Sequence, residues 1–315
     1  MSAITITFGD CAENNVGMQK IGKPARPGLG FSYEDLAAAA ARFEAAGCHC
    51  ELVDLILAGG VGGEGPDPGY VLVVRAGIKA LLGDPGAADA MRDEQRAFPA
   101  DTKALFRGVV KNKLARHNLC FADEGQEPDY AAGRGRVVAF SDAPYTAAAR
   151  KALCSFFGAK AEGLFAEGNY YYRPAACGIG FHGDGERRKV IALRLGVAAP
   201  LHYQWFLRSQ PVGFRVIFNL NHGDLYAMSE KAVGHDWKRS SILTLRHAAG
   251  SQKYLTVVGH PMRTAPAEPP AEPPAEPPAE PPAEPPAEPP AEPPIINDAD
   301  LSDLLAEVLG DEPNE

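Results

Sequence analysis

His182-Gly183-Asp184 places an imidazole and a carboxylate two positions apart. On a β-strand alternate side chains share a face, so both groups can grip one metal ion. A third ligand must come from elsewhere. Of the eight histidines, His235 is the candidate, with ten residues between it and Arg246. Two histidines and one carboxylate form the facial ligand set of non-haem Fe(II) sites, which leaves adjacent positions open for a bidentate oxo acid and for dioxygen. A cosubstrate with a second carboxylate needs a cation at its far end. The fork-shaped guanidinium of Arg246 is expected to fill that role. His222 reads as a turn residue, and His202 and His247 read as structural.

These groups need a strand framework. Residues 168–172, 179–184, 190–195, 202–207, 213–219, 225–228, 242–247 and 254–258 are short β-type segments parted by turn residues. That texture predicts a sandwich, barrel or jelly roll. Upstream, Ile4–Phe8 alternates like a strand, and residues 50–57 and 70–74 read as strands. Residues 32–46 are predicted to be a helix, with Ser32 as cap and Asp35 three positions on. Pro144–Phe157 is a second predicted helix, closed by Gly158. Between Gly60 and Gly65 the glycines match a dinucleotide-binding spacing. Pro66 and Pro68 stand where the phosphate-binding helix would begin, so a surface loop is expected instead. Lys103, Arg107, Lys111, Lys113 and Arg116 form a basic stretch interleaved with Leu105, Phe106, Val109, Val110 and Leu114.

From Ala267 to Pro294 the unit Ala-Glu-Pro-Pro repeats seven times. Proline fixes φ and removes backbone donors, so an extended polyproline II spacer is expected, reaching about 90 Å. Beyond it, Leu301, Leu304, Leu305, Val308 and Leu309 fall at helical spacing among acidic residues. This short acidic helix could dock on a protein partner or pack back on its own domain. The expected division is an N-terminal α/β region at 1–99, a catalytic domain at 100–263, a linker at 264–294 and a tail helix at 295–315.

Charge is unevenly spread. The chain carries −9 overall, yet residues 264–315 hold no Lys or Arg and fourteen acidic groups, and residues 100–263 are strongly basic. That middle could attract a polyanion or could be a solvated surface balanced by the tail. No apolar run approaches the roughly 18 residues of a membrane span, and residues 1–10 lack the features of a secretory leader. Six cysteines without a C-x-x-C pair suit a reducing intracellular compartment, cytoplasm or nucleus, rather than a disulfide scaffold.

With these motifs in place, residues 140–250 resemble the AlkB-like Fe(II)/2-oxoglutarate dioxygenases. Gly168-Asn169-Tyr170-Tyr171 resembles the family's N-x-Y strand. Residues 178–186 resemble its first metal strand, 190–196 the following core strand and 222–228 the turn leading to the last ligand. Residues 240–246 cover the closing R-x-N-x-T-x-R strand, with Thr244 and Arg246 retained and Ser240 and Ile242 in place of the Arg and Asn. The resemblance implies an α+β protein with a double-stranded β-helix (jelly-roll) core. Its cofactors would be Fe(II), 2-oxoglutarate and dioxygen. His182, Asp184 and His235 would hold the metal, and Arg246, Asn169, Tyr171 and Thr244 would hold 2-oxoglutarate. Glu186, Arg187, Arg188, Trp237 and Arg239 would meet the substrate. The implied activity is oxidative demethylation or hydroxylation of a nucleic-acid base, yielding succinate, carbon dioxide and formaldehyde. A hydroxylase of protein or small molecules, or an inactive interaction scaffold, are the alternatives.

Overall fold

The computed structural model describes residues 2–62, 67–257 and 263–264. The Pro-rich spacer and the tail helix expected beyond Thr264 lie outside the described residues. In chain order the elements are β1 (Ala3–Gly9), β2 (Cys11–Glu13), β3 (Lys20–Gly22), α1 (Tyr33–Ala45), β4 (Cys50–Asp54), α2 (Leu55–Ala58), β5 (Tyr70–Val74), α3 (Gly77–Leu82), α4 (Ala87–Ala97), β6 (Lys103–Phe106), β7 (Val109–Asn112), β8 (His117–Ala122), β9 (Val137–Ala139), α5 (Pro144–Phe157), β10 (Phe165–Tyr171), β11 (Gly178–His182), β12 (Val190–Gly196), β13 (Ala199–Leu207), β14 (Gln210–Leu220), β15 (Leu225–Met228), α6 (Glu230–Val233), β16 (Thr244–Gly250) and α7 (Gln252–Leu255). The chain is a mixed α+β protein, mostly sheet. No helix among the described residues is long and apolar enough to cross a membrane, and all six cysteines are free.

An eight-stranded sheet runs in the order β4-β5-β15-β12-β1-β10-β8-β9, and a four-stranded sheet in the order β11-β16-β13-β14. Alternation along the central strands sets the layers. Ile4, Ile6 and Phe8 of β1 and Ile191, Leu193 and Leu195 of β12 join one apolar cluster with Leu36 and Phe43 of α1 and Leu153 and Phe157 of α5. Val190 and Ala192 of β12 and Val71 and Val73 of β5 join a second cluster with Leu201, Tyr203 and Trp205 of β13 and Leu245 of β16. The large sheet is therefore packed by helices on one face and by the small sheet on the other. Each fully buried Ile, Leu or Phe contributes about 1.5–3 kcal/mol.

Several elements follow their local chemistry. Ser32 caps α1 with a reciprocal bond from Asp35, as the sequence predicts. Gly158 ends α5 at φ +71°. The strand expected at 50–57 stops at Asp54, whose carboxylate accepts from the Ile56 and Leu57 amides and starts α2. The strand expected at 254–258 is instead the single helical turn α7 within the described residues. The tip of the β6–β7 ribbon is the pair Arg107-Gly108, at φ +50° and +77°, which suits a two-residue hairpin turn.

A domain boundary at 99/100 is not present. β1 lies between β12 and β10, pairing Thr5 with both Arg194 and Asn169, so the first strand is the middle of the sheet that later strands complete. The chain divides instead into units of residues 1–266 and 267–315.

His202 of β13 is buried, with neither ring nitrogen bonded among the described residues. Burial, aided by Arg215, lowers its pKa to about 4. An unfolded histidine titrates near 6.5, so between these values the unfolded chain binds the extra proton. Stability is therefore full above about pH 6.5 and falls as pH drops toward 4, by up to about 3 kcal/mol. In His202→Gln, denaturant midpoints should lose much of their pH dependence in that window.

Candidate metal centre

His182 ends β11, and its Nδ1 lies 2.8 Å from the Gly180 carbonyl oxygen and 3.0 Å from that of His247. Carbonyls only accept, so Nδ1 carries the proton and Nε2 is the nitrogen free to ligate. His182 Nε2 is 3.4 Å from Asp184 Oδ1, and His247 Nε2 is 3.5 Å from the same oxygen. One ligand atom from each of His182, Asp184 and His247 lies within 4.8 Å of the others. The imidazole grouped with His182 and Asp184 among the described residues is His247, and His235 is not in the group. β11 and β16 pair antiparallel with His182 opposite His247. On β16, His247 shares its face with Leu245, which enters the core between the sheets.

His235 sits just beyond α6, with Nδ1 3.3 Å from the Arg187 carbonyl, outside this grouping. Its neighbour Gly234, at φ +74°, presses on the ligand turn: a Cβ on Gly183 would lie 2.0 Å from the Gly234 carbonyl oxygen. The Asp184 amide donates to Val233 O at 2.9 Å, which fixes the turn.

Charge states suit a cation. Burial opposes ionisation of Asp184, but Arg187 and the two imidazoles outweigh it and hold the carboxyl well below its usual range. Burial and the adjacent His182 lower the His247 pKa, which favours the neutral ring that ligation needs.

The trio borders a cavity of about 910 Å³ between the two sheets. Thr5, Thr7, Glu167, Asn169, Tyr171, Arg194, Tyr226 and Met228 line the large-sheet side, and Glu13, Lys20, Arg116, Glu186, Trp237 and Lys238 also border it. Asn169 and Tyr171 line the cavity. The Asn169 oxygen accepts from Arg116 and Asn118.

Other expected positions differ. Arg246 is not among the lining residues. It lies opposite Gln204, its guanidinium 4.2 Å from the Phe206 ring centre. One step of strand parity separates it from His247 and turns it to the other face. Thr244 is buried, its hydroxyl 3.4 Å from Phe206 O. Arg187 is buried in a clamp of Glu167 at 2.5 Å, Glu186 at 2.8 Å and Asp184 at 3.6 Å, so it orders carboxylates rather than offering free charge. Arg188 bonds Glu230 at 2.7 Å and Ala25 O at 3.0 Å. Arg239 is exposed and does not line the cavity. Glu186 and Trp237 do line it, and burial raises the Glu186 pKa. The sequence reading missed His247 and Arg194. The available signal for Arg194 was a lone charge inside the apolar run 190–196.

No family model matches the chain. It is 46% identical over 253 residues to uncharacterized protein R156 of Acanthamoeba polyphaga mimivirus, a match covering 80% of this chain and 97% of that protein. The chain therefore belongs to one family with the mimivirus protein R156.

Proposed function

We propose that this protein is an Fe(II)/2-oxoglutarate-dependent dioxygenase acting on a nucleic-acid base. The observation that carries the proposal is the convergence of His182, Asp184 and His247 on the wall of an inter-sheet cavity. Two facing sheets with the ligand strand in the smaller one suit the double-stranded β-helix implied by the resemblance. The donor set fits a divalent iron: two imidazoles and one ionised carboxylate, with the cavity on the open side. When bound, iron supplies the redox chemistry by which dioxygen and 2-oxoglutarate become succinate and carbon dioxide while a substrate C–H bond is hydroxylated. A hydroxymethyl group on a base nitrogen then leaves as formaldehyde, returning the proton to the nitrogen.

The chain's own residues bind and orient. The two carbonyls on His182 Nδ1 aim its Nε2, and Arg187 keeps Asp184 ionised. Burial raises the Glu186 pKa, and Arg187 holds its carboxylate at the cavity wall at 2.8 Å. Trp237 offers a π face at the cavity wall, with Lys238 5.5 Å from its ring centre. With Arg187 and Arg188 engaged internally, support for a polyanionic substrate comes from Lys20, Arg116 and Lys238 at the cavity and from the β6–β7 ribbon. That ribbon exposes Phe106, Val109 and Val110. Arg107 and Lys111 lie 5.3 and 5.4 Å from the Phe106 ring centre.

The test is aerobic incubation of iron-loaded protein with 2-oxoglutarate and a panel of methylated DNA and RNA oligonucleotides, measuring formaldehyde and succinate. Turnover on a peptide or metabolite, with none on any oligonucleotide, contradicts the nucleic-acid assignment. Replacing Lys103, Arg107 and Lys111 together by Gln should weaken oligonucleotide binding. It should also reduce the slope of log affinity against log salt by about 2–3, since each lost phosphate contact removes about 0.7–0.9. An unchanged slope excludes the ribbon from the interface.

A further inference from the structure

Arg194 is 1% exposed in the middle of β12, and its Nε and Nη1 are buried with no hydrogen-bond partner among the described residues. Two other guanidinium groups are neutralised by carboxylates, while the buried Arg215 lies 4.8 Å from the Phe181 ring centre. Arg187 has three carboxylates, and Arg75 has Glu51 and Asp224 at 2.8 and 2.9 Å. A buried unpaired charge is among the costliest features a fold can keep. Arg194 also lines the cavity that the metal trio borders. We propose that Arg194 anchors the far carboxylate of a dicarboxylic 2-oxo acid whose chelating end sits on the His182–Asp184–His247 centre. This inference rests on the oxygenase reading above.

Register builds the rest of the subsite. Thr5 stands directly between Arg194 on β12 and Asn169 on β10. Residues opposite one another on neighbouring strands have Cβ atoms about 5 Å apart, and Thr5 and Arg194 both line the cavity. Tyr171 and Tyr226 line the same cavity as Arg194 and Asp184. A divalent ion at the His182–Asp184–His247 group and the Arg194 guanidinium would place positive charge at two points of the cavity, a pattern complementary to a ligand with an anionic group at each end. Arg246, the cation expected from the closing strand, stacks on Phe206 outside the cavity lining. In this chain the anchoring role passes from the closing strand to the core strand.

The test uses the full chain loaded with Mn(II), which binds such sites without turnover. Calorimetry compares 2-oxoglutarate with 2-oxobutyrate, which lacks the distal carboxylate. Wild type should prefer 2-oxoglutarate by at least about 100-fold, as expected when a buried charged hydrogen-bonding partner is lost. Arg194→Met should reduce that preference to a few-fold while leaving Mn(II) affinity unchanged, and Arg194→Lys should recover part of it. Without ligand, Arg194→Met should melt no lower than wild type, because an unpaired buried charge has been removed. A structural arginine would instead lower the melting temperature. Full discrimination in folded Arg194→Met, or its loss in Arg246→Met instead, overturns the role of Arg194 and leaves the oxygenase reading standing. Failure of Mn(II)-loaded wild type to bind 2-oxoglutarate defeats the oxygenase reading, and this inference with it.

Discussion

Replacing His247 by alanine should lower Fe(II) or Mn(II) affinity by at least about 100-fold, whereas His235→Ala should stay within a few-fold of wild type. Loss of an outer partner of a metal ligand already costs 10–100-fold, so loss of a ligand itself sets a higher floor. The asymmetry follows from geometry. His247 Nε2 is 3.5 Å from the Asp184 oxygen, while His235 Nδ1 faces the Arg187 carbonyl. Equilibrium dialysis with metal analysis reads both variants, and circular dichroism checks that β16 still forms. Equal losses in the two variants would mean that the ligand set differs from the one found here.

Gly183→Ala should be nearly as damaging, although it removes no ligand. The added methyl would meet the Gly234 carbonyl oxygen at 2.0 Å and the Trp237 Cβ at 2.8 Å. The first obstacle is backbone, which cannot rotate away as a side-chain tip can. Either the turn after α6 moves or the H-x-D segment does, and the Asp184 amide bond to Val233 is lost in both cases. Overpacking of this kind costs about 3 kcal/mol, and the displaced carboxylate should weaken metal binding by about 100-fold. Gly185→Ala is the control, because an added Cβ there meets only Trp237 Nε1 at 3.9 Å. Denaturant titration and metal dialysis on the pair separate a local clash from general intolerance of substitution in this loop.

The contrast between His182 and His247 shows what a sequence carries. His182 and Asp184 are legible together because their relation is local: two residues apart at the end of a strand. The third member of the group, His247, depends on the pairing of β11 with β16 across 65 positions, and no local pattern sets that register. A one-residue error in parity exchanges Arg246 for His247 at the cavity wall. Arg187 likewise reads as free positive charge until Glu167, from β10 of the large sheet, is seen beside it. Helices α1 and α5 are legible from caps and terminators that act over a few residues. The strand at residues 4–8 is equally legible, but not its place in the middle of the large sheet, because its partners come from 165–171 and 190–196. Both the place of β1 in the sheet and the grouping of His247 rather than His235 with His182 and Asp184 depend on long-range pairing.

The most direct measurement is anaerobic addition of 2-oxoglutarate to the Fe(II)-loaded protein while recording the visible spectrum. Chelation of ferrous iron by the 2-oxo acid gives a metal-to-ligand charge-transfer band. A centre at residues 182, 184 and 247 requires that this band appear at one iron per chain, persist in His235→Ala and vanish in His247→Ala. Its absence from wild type at saturating iron and 2-oxoglutarate, or its survival in folded His247→Ala, contradicts that centre.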